Sequence, residues 1–119
     1  MPSVTGRFYF TRTSNGNLLG EYSNNQTKRC WTEGANRNPE ATADGSDPFV
    51  GEYDTTWYEE DSKESVYARL EIKLKHPSAR IYSLTWTEPK SGKVMFEGEA
   101  MLCDSLLIGD YRYVGDSHP

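Results

Sequence analysis

The sequence predicts an all-β protein, a small antiparallel up-and-down β-barrel of about seven to eight strands, and three observations support this fold class. Short runs of β-branched and aromatic residues alternate with turn signals along the chain. No segment of ten or more residues has a clean helical period. Eight tyrosines, four phenylalanines and three tryptophans provide a core, whereas disordered chains are poor in aromatic residues. The 119 residues fit one domain, which we expect to span 1–119.

The individual strands are recognised by their turns and by their alternation. Asn15-Gly16 lies between two β-type runs, and this dipeptide is the strongest short hairpin signal because both turn residues adopt positive φ. In 66–75, apolar residues alternate with charged ones, which is typical of a half-buried antiparallel strand. His76-Pro77 ends that run, since proline cannot donate to a ladder. Seven strands are expected, at 7–12, 18–22, 49–58, 66–75, 80–87, 93–101 and 106–114.

The segment 23–48 does not follow the strand pattern. It is rich in Asn, Thr, Gly and Asp, and we expect it to form a long loop. Within it, 28–32 is a candidate for a short eighth strand, and 33–48 is expected to be mobile. Structureless loops longer than about 12–15 residues are uncommon in compact domains and are often lids.

One short motif occurs three times, at 18–22, 49–53 and 107–111, as two apolar residues, Gly, an acid and Tyr. The copies are unequally spaced, which excludes a solenoid of fixed period. Gly and Tyr are two positions apart and therefore share one face of a strand. A glycine inside a strand indicates strong bending or the close approach of another backbone, as the closure of a small barrel requires. We expect the tyrosine to fill the space that the glycine leaves.

This motif resembles that of the calycin barrels, the lipocalin-like and avidin-like proteins, and most closely the avidin-like members. The resemblance covers 15–22 and 107–113, with shorter pieces at 82–86 and 96–98. It implies a closed barrel that holds a small ligand in its lumen. Tyr22 lies where that family places a ligand-contacting tyrosine. The preceding strand lacks the family's Trp, Asn and Gly-Ser turn, so the resemblance does not extend to biotin binding.

Side chains along a strand point alternately to its two faces. If the repeated Gly and Tyr point inward, nearly all charged strand residues point outward. The inward aromatic residues are the candidate ligand-binding residues of the lumen: Tyr22, Tyr53, Trp57, Tyr82, Trp86 and Tyr111. Two interpretations stay open. The rings line a pocket for a small apolar or aromatic ligand, or they fill the lumen. In the second case the protein is an interaction or structural module that uses its acidic outer face or an edge strand.

Charge and hydropathy exclude several classes of function. The net charge of −5 argues against nucleic-acid binding, which requires a basic surface. No run of about 18 apolar residues is present, so no membrane span is expected. The N-terminal residues do not resemble a secretion signal, and we expect a cytoplasmic protein. Cys30 and Cys103 are accordingly expected to be reduced thiols.

Catalytic and metal-binding motifs are not recognised, and we expect neither an enzyme nor a cofactor or metal. The sequence has no nucleophile elbow, phosphate-binding glycine loop or nucleotide fingerprint. His76 and His118 have no partner at the spacing of a zinc site. The acidic run 59–61, with Glu64 nearby, lacks the spacing of a calcium loop and is expected to be solvated.

Four apolar residues fall on the expected outer face: Val50, Tyr58, Leu106 and Ile108. Outward apolar residues often mark a contact surface. They either form a subunit interface in a homo-oligomer or lie under the segment 33–48, and the sequence does not decide between these possibilities.

Overall fold

The structure, a computed structural model, describes residues 3–38 and 47–115. Eight strands form a closed antiparallel barrel in which each strand pairs with the next and the last pairs with the first. The expected all-β up-and-down barrel is therefore confirmed. The strands are β1 Thr5–Arg12, β2 Leu18–Asn24, β3 Trp31–Arg37, β4 Gly51–Glu59, β5 Glu64–His76, β6 Ile81–Thr87, β7 Val94–Cys103 and β8 Leu106–Tyr113. A short 3-10 turn, Pro77–Ala79, joins β5 to β6.

The segment 23–48 contains β3, so the expectation of one long loop there is corrected. β2 continues to Asn24, and β3 pairs along its length with β2 and β4. The candidate eighth strand at 28–32 overlaps β3 only at Trp31 and Thr32. The rest of β3 escaped recognition because its inward positions include Glu33 and Ala35 instead of large apolar residues, so it lacks the usual alternation. Within the part expected to be mobile, 33–37 belongs to this strand, and 39–46 lies outside the described residues.

The alternation of faces follows the expectation in the other strands. In β5, Ala68, Leu70 and Ile72 are buried, whereas the charged residues between them are at least partly exposed. The same alternation buries Tyr82, Leu84 and Trp86 in β6. The core therefore lies inside the barrel, where side chains from all eight strands meet.

Close backbone approach occurs at glycines of the repeated motif, as the sequence suggested. A Cβ atom at Gly20 would lie 1.7 Å from the carbonyl oxygen of Tyr9, and one at Gly109 would lie 2.1 Å from that of Glu99. Neighbouring strands therefore approach at these points more closely than any other residue allows. These contacts explain the glycine in the copies on β2 and β8.

The alternating strand directions create two different ends of the barrel. The open end carries the β2–β3, β4–β5 and β6–β7 connections, and the closed end carries the other four connections. At the closed end the lumen is filled by Phe49, Tyr53 and Tyr82, each no more than 4% exposed. The Tyr53 hydroxyl donates to the Phe49 carbonyl at 2.8 Å, and the Tyr82 hydroxyl donates to Asp47 at 2.8 Å.

The two cysteines are free and exposed. Cys30 lies in the β2–β3 connection at the open end, whereas Cys103 ends β7 at the closed end, so they do not pair. In the part of the chain that the structure describes, no helix has the length and hydropathy needed to cross a membrane.

Candidate functional site

A cavity of about 370 Å³ occupies the lumen at the open end of the barrel. This volume lies within the range of roughly 300–1,000 Å³ that is typical of small-molecule pockets. The wall consists of aromatic rings: Phe8, Tyr22, Trp57, Trp86, Phe96 and Tyr111. Glu33 lies among them, and the rim carries Val4, Asn24, Gln26, Thr27, Glu59, Glu60, Asp61 and Tyr113.

The structure divides the six aromatic residues singled out from the sequence between the two ends. Tyr22, Trp57, Trp86 and Tyr111 line the cavity, whereas Tyr53 and Tyr82 are fully buried in the closed end. The division follows from strand direction, because β4 and β6 both run from the closed end to the open end. Tyr53 and Tyr82 lie near the start of these strands, and Trp57 and Trp86 lie four positions further along.

The wall rings contact one another largely edge to face. Trp86 lies 5.6 Å from Phe8 and Phe96 lies 5.9 Å from Trp57, measured between ring centroids, both nearly perpendicular. Tyr111 lies 5.5 Å from Phe96 in a similar arrangement. Such contacts are favourable beyond the area they bury. They fix the ring orientations, so the wall is formed without a ligand.

The tyrosine hydroxyls of the wall already have partners in the protein. The Tyr22 hydroxyl donates to the carbonyl oxygen of Tyr58, and the Asn24 amide donates to the Tyr111 hydroxyl at 2.9 Å. Burial raises the pKa of Tyr111 to about 12, and burial also raises the pKa of Tyr22. Both phenols are therefore neutral at physiological pH, and the wall offers a ligand mainly apolar ring surface.

Glu33 is the one buried carboxylate among the described residues, with 5% of its surface exposed. Its Oε2 atom accepts hydrogen bonds from Thr55 Oγ1 at 2.6 Å and from Trp86 Nε1 at 2.9 Å. Its Oε1 atom accepts none from any described residue. Because no fully buried polar side-chain atom of the described residues lacks a partner, Oε1 borders the cavity.

The environment of Glu33 favours its neutral form. Burial raises the pKa of the carboxyl to about 7, against the hydrogen bonds from Thr55 and Trp86, which lower it. No lysine, arginine or histidine lines the cavity among the described residues. When Glu33 is ionised, its charge therefore has no counter-ion among the described residues that line the cavity.

Glu33 was not predicted as a site residue, because 33–48 was expected to be a mobile loop, whereas Glu33 lies in β3. A signal was nevertheless present. An up-and-down antiparallel barrel closes only with an even number of strands, since otherwise its first and last strands would be parallel. Seven recognised strands therefore require an eighth in the segment 23–48. A strand that begins at Trp31 with Trp31 inward also turns Glu33 inward.

At the rim, hydrogen bonds to Glu60 link the loop between β4 and β5 to the loop between β2 and β3. Its carboxylate accepts hydrogen bonds from the indole nitrogen of Trp31 at 2.9 Å and from the backbone nitrogen of Lys28 at 3.1 Å. These two bonds, in that order, lower the pKa of Glu60. Arg29 covers the Trp31 ring at 4.6 Å. The acidic run 59–61 is thus partly ordered, and Glu60 lies close to the positive charges of Lys28 and Arg29, which also lower its pKa.

Metal-binding geometry is not found in the described part of the chain, where no group of three or more His, Cys, Asp or Glu side chains could hold an ion. The arrangement can instead enclose an apolar body between aromatic rings and offer it one carboxylate oxygen. Comparison with protein-family models, with curated proteins and with solved structures gives no match for this chain.

Proposed function

We propose that this protein is a non-enzymatic binding protein that holds one small molecule with an apolar or aromatic body in the cavity at its open end. The observation that carries the proposal is the difference between the two ends of the lumen. The closed end is filled by Phe49, Tyr53 and Tyr82, whereas the open end encloses about 370 Å³ of empty space between packed rings. A barrel of eight strands is just wide enough to hold one small ligand.

The chemistry of the wall supports an apolar body for the ligand. The Tyr22 hydroxyl donates within the protein, and the Tyr111 hydroxyl accepts from Asn24, so aromatic ring faces make up most of the surface that remains for contact. Trp57 and Trp86 are at least 93% buried, and each lines the cavity. Burying a flat apolar molecule against such surfaces is favourable by about 25 cal/mol per Å² of apolar area.

The proposal is tested with the uncharged fluorescent probe N-phenyl-naphthylamine, whose emission rises in apolar surroundings. We expect saturable binding of one equivalent to the protein, and weaker binding to Trp57→Ala. Tyr67→Ala is the control, because Tyr67 is 70% exposed on the outer face of β5. A probe that does not saturate, or that binds equally to Trp57→Ala and Tyr67→Ala, would contradict the proposal.

We also propose that the barrel is related to the calycins. Its support is the closed eight-stranded up-and-down topology together with the Gly-x-Tyr pairs of β2, β4 and β8. In this interpretation the protein keeps the lumen of a lipocalin-like or avidin-like barrel as its binding site. It does so without the polar strand that recognises biotin.

A second candidate function is an interaction module that associates through its outer face. Leu19, Tyr9, Ile108 and Met101 lie on four neighbouring strands, β2, β1, β8 and β7, and are 37–58% exposed. The closed barrel leaves no free strand edge among the described residues, so association through an edge strand has no support. Native mass spectrometry tests self-association, since a dimer that Ile108→Ser abolishes would support this function and a monomer would contradict it.

A further inference from the structure

Glu33 is ionisable, and no cationic side chain among the described residues of the cavity lining balances its charge. The titratable side chains that face it are Tyr22 from β2 and Tyr111 from β8, and both phenols are neutral. The other ionisable groups of the lining lie at the rim: the carboxylates of Glu59, Glu60 and Asp61 and the phenol of Tyr113. The described lining therefore contains only acids and phenols, and it has no cation to accompany an ionised carboxylate.

One oxygen of Glu33 is available to a ligand. Thr55 and Trp86 both donate to Oε2, and their bonds fix the orientation of the carboxylate. Oε1 borders the cavity and accepts no hydrogen bond from a described residue. A carboxylate that is 95% buried is costly unless it is paired. A ligand that brings both a positive charge and a hydrogen-bond donor removes this cost.

The surroundings of Glu33 favour the same ligand chemistry. Trp57, Trp86 and Phe96 present ring surfaces to the cavity, and the faces of aromatic rings attract cations. The carboxylate and the rings thus both favour a cation.

We propose that the cavity recognises an amphipathic amine, whose ammonium group donates to Glu33 Oε1 while its aromatic or apolar body contacts the wall rings. This inference rests on the function proposed above and adds the chemical class of the ligand. An ammonium group has donors for Oε1 and a charge that opposes that of the carboxylate. A neutral alcohol offers only the hydrogen bond, and a carboxylic acid brings a like charge.

Three indole compounds with the same ring system test the inference by calorimetry: tryptamine as the cation, tryptophol as the neutral alcohol and indoleacetic acid as the anion. We expect tryptamine to bind at least about tenfold more tightly than tryptophol, which is the usual difference made by a charge-assisted hydrogen bond. Indoleacetic acid is expected to bind most weakly. As pH falls below about 7, tryptamine affinity should fall toward that of tryptophol, a total loss equal to the tryptamine preference, because Glu33 becomes protonated, whereas tryptophol affinity should not change.

Glu33→Gln is the decisive variant, because its amide oxygen can still accept the hydrogen bonds from Thr55 and Trp86. We expect this variant to bind tryptamine and tryptophol equally. Glu52→Gln makes the same chemical change on the outer face of β4 and should keep the preference of the unmodified protein. The pH series on the unmodified protein gives a second measurement that does not depend on the folding of a variant.

The outcomes separate the inference from the function on which it rests. Equal affinities for the three compounds, or a tryptamine preference that survives in Glu33→Gln, would overturn the inference and leave a binding protein of another specificity. If none of the three compounds and no N-phenyl-naphthylamine binds, the proposed function itself is wrong. Binding of that probe without any tryptamine binding overturns the inference alone.

Discussion

The buried carboxyl of Glu33 makes the stability of the barrel depend on pH. Its pKa rises from an ordinary value of 4.5 in the unfolded chain to about 7 in the folded protein, chiefly because of burial. Between these values the folded protein binds more protons than the unfolded chain, so the free energy of unfolding falls as pH rises. The stability that Glu33 contributes through its raised pKa is fully present below about pH 4.5 and is lost as pH rises through 7. At ~1.4 kcal/mol for each tenfold change in proton affinity, the loss amounts to about 3 kcal/mol.

Glu33→Gln isolates this contribution, because glutamine does not titrate and keeps an acceptor for Thr55 and Trp86. As pH rises from 4.5 to 8, we expect the free energy of unfolding of the variant to rise by about 3 kcal/mol relative to that of the unmodified protein. Urea unfolding at half-unit pH steps, followed by tryptophan fluorescence, measures the free energy of unfolding of both proteins. Other titrating groups affect both alike and cancel in the difference. A difference that is independent of pH, or that falls as pH rises, would refute the reasoning.

Five further substitutions, in three comparisons, test the packing of the barrel by urea unfolding. Phe10→Ala should cost about 3–5 kcal/mol because the ring is fully buried, and Trp57→Ala should cost clearly less because one side of the indole borders the cavity. Equal losses would mean that the cavity is collapsed in solution. Gly20→Ala should lower the free energy of unfolding by roughly 2–3 kcal/mol, because the new Cβ would meet the backbone of β1. Gly34→Ala should raise it by about 0.4–1 kcal/mol, because a Cβ at Gly34 meets nothing within 4 Å. Similar effects would contradict the backbone contact. Tyr82→Phe should cost about 1 kcal/mol through its lost hydrogen bond and leave probe binding unchanged, and weaker binding would show that the closed end reaches the ligand.

Local sequence patterns were sufficient for most of the barrel. The alternation in 66–75 predicts both the existence of β5 and its faces, because each inward position carries an apolar residue and nearly every outward one a charge. The expected hairpin at Asn15-Gly16 joins β1 to β2, but of these two residues only Gly16 has a positive φ, of 90°, so the expectation of positive φ at both is wrong. These features depend on neighbouring residues and on one buried face. A single sequence contains that information directly.

The position of a side chain along the barrel axis is harder to predict than its face. Strands alternate in direction, so the end at which a residue lies depends on how many strands precede it. With β3 unrecognised, every later strand is assigned the opposite direction. Tyr53 is then assigned to the same end as Tyr22, although the structure places them at opposite ends of the lumen. All six candidate aromatic residues therefore face inward, but four line the cavity and two lie at the closed end.

The residue that places a carboxylate at the candidate site also explains why β3 was not recognised from the sequence. β3 lacks the apolar alternation because its inward positions include Glu33 at the cavity and Arg37, which donates to Tyr53 at the closed end. An apolar side chain at position 33 would have revealed the strand and would carry no desolvation cost at neutral pH. Local rules are broken most often where a side chain serves a site instead of the fold. The departure from the apolar pattern at Glu33 therefore supports a role of this residue in binding. This argument comes from the sequence pattern, and it agrees with the position of Glu33 at the cavity.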